Sequence, residues 1–426
     1  MWRFFYLLFL SCIYLNVHGQ TNSLDYYLER AAVASPLIHD LNNQRLISID
    51  EQERLRKQYT RSRLEMNGNY LFVPIITRDN GNTSFQWDGT KATDYYGYDT
   101  GVTSGELKAG ITWTKPLLGN ASYQVVKQNE SINRQKFLQL IQLEQHELKR
   151  AVTEQYLLCM SDIIGAEQTD TISQILQKQK TVIEKLARQA LIKQTDIHLL
   201  DIEISNNNQT ASAFRQSYWN HLLDLNLLCG IADTAHVELV PAQLQLYPSI
   251  EESHFLHSYK LDSLSITGNY KLYNNQYKPQ LNLFVDGGLR TSQFSNCYQH
   301  FGASAGVTFS WLLSDEGQRK SKYRQMQYQL NTNDAYKTQK QIMILQKRNA
   351  CYRQLKEQEI QLTNTKKQLS DYQSLLQNYQ REIIAGQLSI LDYITVLKGY
   401  ILKKKEYDSL LINRELIINA LNYWNW

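Results

Sequence analysis

The stretch "GVTFSWLLSDEGQRK", residues 306–320, joins two kinds of sequence with no linker between them. Up to Leu313 large apolar residues alternate with smaller polar ones, which predicts a β-strand with one aromatic-rich face. From Ser314 onward the sequence is polar with a helical period, which predicts a long helix. The stretch "GITWTKPLLGN", residues 110–120, makes a similar junction earlier in the chain. A strand that runs directly into a long polar helix is therefore predicted twice.

Three residues at these junctions are predicted to shape the change from strand to helix. Ser314 is predicted to cap the second long helix, because its hydroxyl can accept a hydrogen bond from a free amide of the first turn. The acidic residues that follow it suit the positive end of the helix dipole. Asn120 is predicted to have the same role in the first junction, and Gly317 to let neighbouring backbones approach closely.

The N-terminus and the composition limit the class of protein. Residues 1–19 have a positive Arg3, an apolar core and small residues before Gln20, which predicts a cleaved secretory signal. A membrane anchor is disfavoured because the apolar run is shorter than the ~20 residues that a span requires, and the flanks of Cys12 disfavour lipidation. With no other apolar helix of spanning length, a periplasmic, extracellular or outer-membrane β-protein is expected. The formal net charge of +4 implies no nucleic-acid partner.

The chain is predicted to contain an internal repeat with a period of roughly 195 residues. Each half reads as helix, strand, loop, strand, long helix, turn and long helix. The first copy covers 20–230, with strands near 68–77 and 102–116 and a helical hairpin near 120–229. An irregular connection covers 231–253. The second copy covers 254–426, with strands near 277–288 and 302–313 and a hairpin near 315–423.

This pattern predicts an α+β membrane protein with long antiparallel coiled-coil helices and four transmembrane strands per chain. Helices of about 45 residues are ~65 Å long, and their narrow apolar stripes bury only seams. Four strands cannot close a barrel, and an open edge is not tolerated in lipid. Three chains would pool twelve strands, whereas two would give eight, with an interior filled by side chains.

Several motifs follow one another along the mature chain in a set order and spacing. They are Leu24-x-Tyr-x-Leu28…Ala32…Ser35-Pro36, Tyr277-x-Pro279-x-Leu281-x-Leu283, Gly306-Val-Thr-Phe-Ser-Trp-Leu-Leu313…Gly317-x-Arg319 and Tyr379…Gly386-Gln-Leu-Ser-Ile-Leu-Asp-Tyr393. In this order and spacing they resemble the TolC-type outer-membrane efflux proteins over nearly all of the mature chain. Two departures are Ile192 to Asp196, where the family often has a glycine, and a first strand without a counterpart of Pro279.

The resemblance implies a homotrimer with a barrel in outer-membrane lipid and a helical tunnel that occupies the periplasm. Such proteins are passive exit ducts, opened when a periplasmic adaptor and an inner-membrane transporter dock. The alternative is a periplasmic coiled-coil adaptor or scaffold, which usually has one helical hairpin rather than two. The transported substrate is not encoded in any motif.

Neither a catalytic set nor a cofactor site is predicted. The sequence has no G-x-S-x-G, H-E-x-x-H or P-loop motif, so a non-enzyme is expected. His254 and His257, with Glu251 and Glu252 nearby, have a helical spacing that suits a metal, but no third ligand is in view. Cys159, Cys229, Cys297 and Cys351 are far apart and are predicted to be unpaired.

The candidate site residues fall into two groups. The helical turns are predicted near 162–170 and 357–365, where they would form the periplasmic tips, the gate and the adaptor contacts. The gate candidates are Asp162, Gly165, Asp170, Glu357 and Glu359, and the adaptor candidates are Ile163 and Ile164; ordinary solvated charges and hairpin packing are the alternatives. The candidates for the barrel and the membrane interface are Tyr70, Phe72, Trp113, Phe309 and Trp311, with a soluble sheet core as the alternative.

Overall fold

The computed structural model describes residues 22–71, 75–86, 106–188, 194–233, 235–291, 298–299, 301–384 and 390–426. The predicted signal at 1–19, Cys12, Phe72 and Cys297 lie outside these ranges. None of the described helices combines the length and the apolar character that a membrane crossing needs.

Long helices dominate the described chain, and the strands fall in two short regions. The helices are α1 (Leu24–Ala34), α2 (Pro36–Thr60), α3 (Gly119–Arg188), α4 (Gln194–Leu228), α5 (His257–Asn274), α6 (Gln318–Ile384) and α7 (Ile390–Trp424), with single 3₁₀ turns at His254–Leu256 and Asn275–Tyr277. The strands are β1 (Arg63–Leu71), β2 (Ile75–Asp79), β3 (Asn82–Gln86), β4 (Glu106–Pro116), β5 (Gln280–Thr291) and β6 (Phe301–Ser310). The prediction of long helices with a few strands is confirmed.

One compact unit consists of Met1–Asn42, Gln139–Ser258 and Tyr336–Trp426. Its largest core surrounds Tyr27 and Tyr156, whose rings meet edge to face at 5.8 Å. Leu222 and Leu225 of α4 are buried in the same core. This unit therefore buries seams between helices, as the narrow apolar stripes predict.

The second unit consists of Asn43–Leu138 and Tyr259–Ala335 and contains all the strands of the described ranges. Four of them form an antiparallel sheet in the order β1-β4-β5-β6. The hairpin of β2 and β3 forms a separate two-stranded sheet. The first strand begins at Arg63, five residues before the predicted start, because α2 ends at Thr60 and Leu64 and Met66 already alternate with polar residues.

The predicted turns inside the long helices are wrong. Helix α3 is continuous from Gly119 to Arg188, and α6 is continuous from Gln318 to Ile384. Polar side chains near 165–170 find hydrogen-bond partners within the helix, so they do not break it. The Thr169 hydroxyl, for example, donates to the Gly165 carbonyl at 2.6 Å. Helix α3 ends at Arg188 and α4 begins at Gln194, while α6 ends at Ile384 and α7 begins at Ile390. The breaks between the paired helices therefore lie there, and not at the predicted positions.

Candidate functional site

The four-stranded sheet has one apolar face. The strand register places Leu64, Trp113, Val285 and Ala305 in one row across all four strands. Because side chains alternate along a strand, every second residue shares that face. The other large apolar residues on it are Met66, Tyr70, Leu107, Ile111, Leu281, Leu283, Leu289, Phe301, Val307 and Phe309.

The opposite face of the sheet is polar. Glu65, Thr112, Asp286 and Ser304 form a row across it, and the Ser304 hydroxyl donates to Asp286 Oδ1 at 2.6 Å. Phe284 is a large apolar exception on it. The other polar residues of this face are Arg63, Asn67, Asn69, Lys108, Thr114, Asn282, Thr308 and Ser310. The sheet is therefore amphipathic along its whole width.

The apolar face is the more unusual of the two, because its side chains are exposed. Met66 is 82% exposed, Phe301 72% and Phe309 63%. In a protein that folds in water, such a face is covered by a second layer. A contiguous exposed face of this kind marks a surface for lipid or for another protein.

The aromatic residues predicted for a barrel lie on this face or beside it. Trp113 is partly buried in the cross-strand row, and Phe309 is near the end of β6. Trp311 follows β6 and donates through Nε1 to the Tyr277 carbonyl at 3.2 Å. Tyr70 is at the other end of the sheet, opposite Leu107. An assignment of these rings to lipid or to its interface remains a prediction.

The junction between β6 and α6 is organised around Tyr277 and Asp315. The Tyr277 hydroxyl donates to Asp315 Oδ2 at 2.5 Å, and the Arg319 guanidinium lies over the Tyr277 ring at 5.5 Å. The Tyr277 hydroxyl is the main reason why the pKa of Asp315 is lowered. The carboxylate is thus the favoured state of Asp315, as its capping role requires.

The predicted cap of this helix is displaced by one residue. Asp315, and not Ser314, accepts hydrogen bonds from the amides of Gly317 and Arg319, at 3.1 and 2.7 Å. Gly317 has a φ of +85° and nothing within 4 Å of an added Cβ, so it serves a turn and not a close backbone approach. Asn120 is already inside α3, which begins at Gly119, so the predicted cap at Asn120 is wrong.

The residues predicted to form the tips lie within helices, and the prediction of a tip there is wrong. Gly165 faces α4, where an added Cβ would lie 2.6 Å from the Phe214 ring. Ile163 and Ile164 are partly buried against the core around Tyr27. The four acidic candidates are helical as well. Three of them have partners: Asp162 with His221 at 2.6 Å, Asp170 with Arg215 at 2.7 Å, and Glu359 with Arg414 at 3.8 Å. The fourth, Glu357, is exposed.

The histidine and cysteine candidates form no reactive centre in the described part of the chain. His254 lies beside the Trp426 ring at 5.0 Å, and no group of three metal-ligating side chains occurs among the described residues. Cys159, Cys229 and Cys351 are free and buried. Burial raises the pKa of the Cys159 thiol to about 12, which makes it unreactive at neutral pH.

A family model and several solved structures are similar to this chain, with its amphipathic sheet and long helices. The model of the family described as outer membrane efflux protein matches residues 249–395, roughly a third of the chain. The resemblance to this family is confirmed. The match includes α5, the sheet strands β5 and β6, all of α6 and the first residues of α7. The sequence matches none of the curated proteins.

Solved structures extend the likeness of fold to almost the whole chain. The outer membrane protein VceC of Vibrio cholerae superposes with a TM-score of 0.74 at 10% identity, over 94% of this chain and 95% of that one. The outer membrane channel MtrE of Neisseria gonorrhoeae gives 0.68 at 10% identity, over 94% and 88%. The outer membrane channel CmeC of Campylobacter jejuni gives 0.68 at 8% identity, over 94% and 85%. The chain therefore has the fold of these channels.

Proposed function

We propose that this chain is the subunit of an outer-membrane exit duct, with its four-stranded sheet in the lipid and most of its residues in the periplasm. The observation that carries the proposal is the exposed apolar face of the sheet, opposite a polar face. The match to the outer membrane efflux protein family supports the same function. Such a duct is a passive channel and not an enzyme.

The dimensions of the strands suit a bilayer. β1, β4, β5 and β6 have 9, 11, 12 and 10 residues. A tilted transmembrane strand needs about 9–11 residues. The apolar face would contact the acyl chains, and the polar face would line water. Trp311 and Tyr70, near opposite ends of the strands, would lie at the two membrane interfaces.

The edges of the sheet support a trimer. In lipid every backbone donor and acceptor must be paired, so an open four-stranded sheet is excluded. The edge strands β1 and β6 would pair between neighbouring chains, and three chains would close a barrel of twelve strands. The two helical hairpins of each chain would continue the wall on the periplasmic side.

The periplasmic adaptor and the inner-membrane transporter are proposed to dock at the ends of the helix pairs. These ends are near Arg188 and Gln194 in one pair and near Ile384 and Ile390 in the other. They replace the tips first predicted at 162–170 and 357–365. The positively and negatively charged residues along α3 and α6 give no basis for naming the cargo.

The test is fractionation of the cell envelope, followed by measurement of the particle mass in detergent. We expect the full chain in the outer-membrane fraction and, after correction for bound detergent, a particle of three chains. A monomer that stays in solution without detergent would exclude the proposed duct. A membrane particle of two chains would keep the location but exclude the twelve-stranded barrel.

A further inference from the structure

A basic cavity lies in the second unit, where the end of α2 meets the first residues of the sheet. Its volume is about 850 Å³. Nine of the described residues line it, four of them cationic and none acidic: Arg54, Lys57, Gln58, Arg61, Ser62, Arg63, Thr114, Pro116 and Asn282. The uncharged polar members can donate or accept hydrogen bonds, so the lining combines positive charge with directional groups.

Two of the four cations are engaged by carboxylates outside the cavity. Arg54 makes a two-pronged contact with Glu51, at 2.6 and 2.7 Å, and also donates to Gln58 at 3.1 Å. Arg63 pairs with Glu65 at 2.9 Å. These contacts fix the guanidinium groups in place and leave only part of their charge for a ligand.

The other two cations carry most of the uncompensated charge. Lys57 approaches Glu53 only to 3.6 Å, and both carboxylate oxygens of Glu53 already accept hydrogen bonds from Arg56 at 2.7 Å. Arg61 has no carboxylate within ion-pair distance among the described residues. Cations near the C-terminal end of α2 are favoured by the helix dipole. That effect alone does not explain why four cations surround one cavity.

The sheet residues of the cavity lie on the polar face. Arg63 is opposite Thr114, and Pro116 is opposite Asn282, in the same alternation as Glu65, Thr112 and Asp286. Residue Lys115 points to the apolar face between Thr114 and Pro116. The cavity therefore opens on the side that is proposed to face water, away from the lipid side.

We propose that this cavity is a binding site for the phosphate or carboxylate groups of anionic solutes. Arg54 and Arg63, fixed by Glu51 and Glu65, supply guanidinium donors suited to such oxygens. Lys57 and Arg61 supply most of the charge that the described carboxylates leave uncompensated. Because the cavity is on the polar face, its occupant is a solute and not a lipid headgroup. The site is built from residues of this unit alone, and its assignment to a solute rests on the proposed duct, in which the polar face is in water.

The experiment is calorimetric titration of the full-length protein in zwitterionic detergent with inorganic pyrophosphate as the probe. We expect saturable binding that the double substitution Lys57→Gln and Arg61→Gln weakens about tenfold or more, as lost charge-assisted hydrogen bonds do. Lys115→Gln is the matched control, since it removes one positive charge from the same strand on the opposite face. It should change the affinity by less than about twofold.

Three outcomes would overturn the site. They are no saturable binding to the unsubstituted chain, equal affinity in the double variant, and an equal loss in Lys115→Gln, which would indicate non-specific attraction. A second titration, with phosphatidylglycerol added to the detergent and phosphatidylcholine as its control, tests whether the anion in the cavity is a solute or a lipid headgroup. Unchanged pyrophosphate binding supports a solute site, whereas competition by phosphatidylglycerol would assign the cavity to a headgroup. Unchanged circular dichroism and particle mass serve as folding controls for each variant, and the envelope location of the chain is measured separately.

Discussion

At the residue scale, Gly288 leaves the least room for a side chain between β4 and β5. A Cβ added at Gly288 would lie 2.3 Å from the Ala109 carbonyl oxygen and 2.4 Å from the Gly110 Cα. Gly302, its partner in β6, would meet nothing within 4 Å. The two glycines are adjacent in the sheet but have opposite tolerance for a side chain.

The first prediction compares alanine at these two positions. Gly288→Ala should lower the free energy of unfolding by about 1–3 kcal/mol, because the strand backbones must move apart. Gly302→Ala should change it by less than about 0.5 kcal/mol. Urea unfolding in detergent, followed by circular dichroism, measures both. Equal effects of the two substitutions would contradict the close approach of β4 and β5.

His146 should make the stability of the chain depend on pH. Its ring is stacked on Tyr423 and Trp426, with centroids 4.9 and 4.3 Å away, and Nε2 is 2.9 Å from the Tyr423 carbonyl oxygen. Burial lowers the pKa of His146 below its ordinary value of 6.5. The neighbouring charges act in both directions, since Glu147 raises this pKa whereas Lys149 and His254 lower it.

The second prediction follows from this lowered pKa. Below pH 6.5 the unfolded chain binds a proton at His146 more readily than the folded chain, so stability falls as the pH falls through this range. His146→Phe keeps the stacking but cannot titrate. Between about pH 7.5 and 5.5 its melting temperature should therefore fall less than that of the unsubstituted chain. Thermal melts of both proteins measure the difference. Parallel pH dependences would show that His146 does not contribute.

At the element scale, the continuity of α3 is the main correction to the sequence-based prediction. Glu167 is exposed, and its carbonyl accepts a hydrogen bond from the Thr171 hydroxyl at 2.9 Å. In a turn, proline would be tolerated near this position, whereas inside a helix it removes a backbone hydrogen bond and clashes with the preceding turn. The two arrangements therefore respond differently to proline.

The third prediction uses this difference. Glu167→Pro should destabilise the chain by about 3 kcal/mol, and Glu167→Ala should be close to neutral. Chemical unfolding of the two variants, compared with the unsubstituted chain, measures the effect. A proline variant as stable as the alanine variant would restore the turn that the structure excludes.

The alternation of apolar and polar residues was sufficient to predict the sheet, and the helical period was sufficient to predict the long helices. Helix ends were harder, because a glycine has the same appearance in a sequence whether it starts a turn or packs against a ring. Gly165 contacts Phe214, which is distant in sequence, and only the folded chain shows that contact. The cap was missed by one residue because the turn at Glu316 and Gly317 has positive φ angles, which shift the helix start to Gln318.

The candidate sites were less predictable than the fold. The cations of the basic cavity, Arg54, Lys57, Arg61 and Arg63, are close together in sequence and have the pattern of an ordinary solvated helix. Thr114 and Asn282 join them only through strand pairing. The available signal was the run of residues 54–63, which contains five cations and no acidic residue.

In the whole molecule, the proposed duct has one face of the sheet in contact with lipid and the other in contact with water. Val307 and Thr308 are consecutive residues of β6 and are both exposed in a single chain. In the assembled duct, Val307 would point to lipid and Thr308 to the aqueous interior. They form the smallest pair that separates the two faces.

The most direct measurement is the reaction of Val307→Cys and Thr308→Cys with a charged, membrane-impermeant thiol reagent in isolated outer membranes. The unsubstituted chain, whose described cysteines are buried, gives the background. We expect that Thr308→Cys is modified and that Val307→Cys stays at background until detergent removes the lipid and exposes it. Equal modification of both cysteines in intact membranes would contradict a sheet that spans the outer membrane.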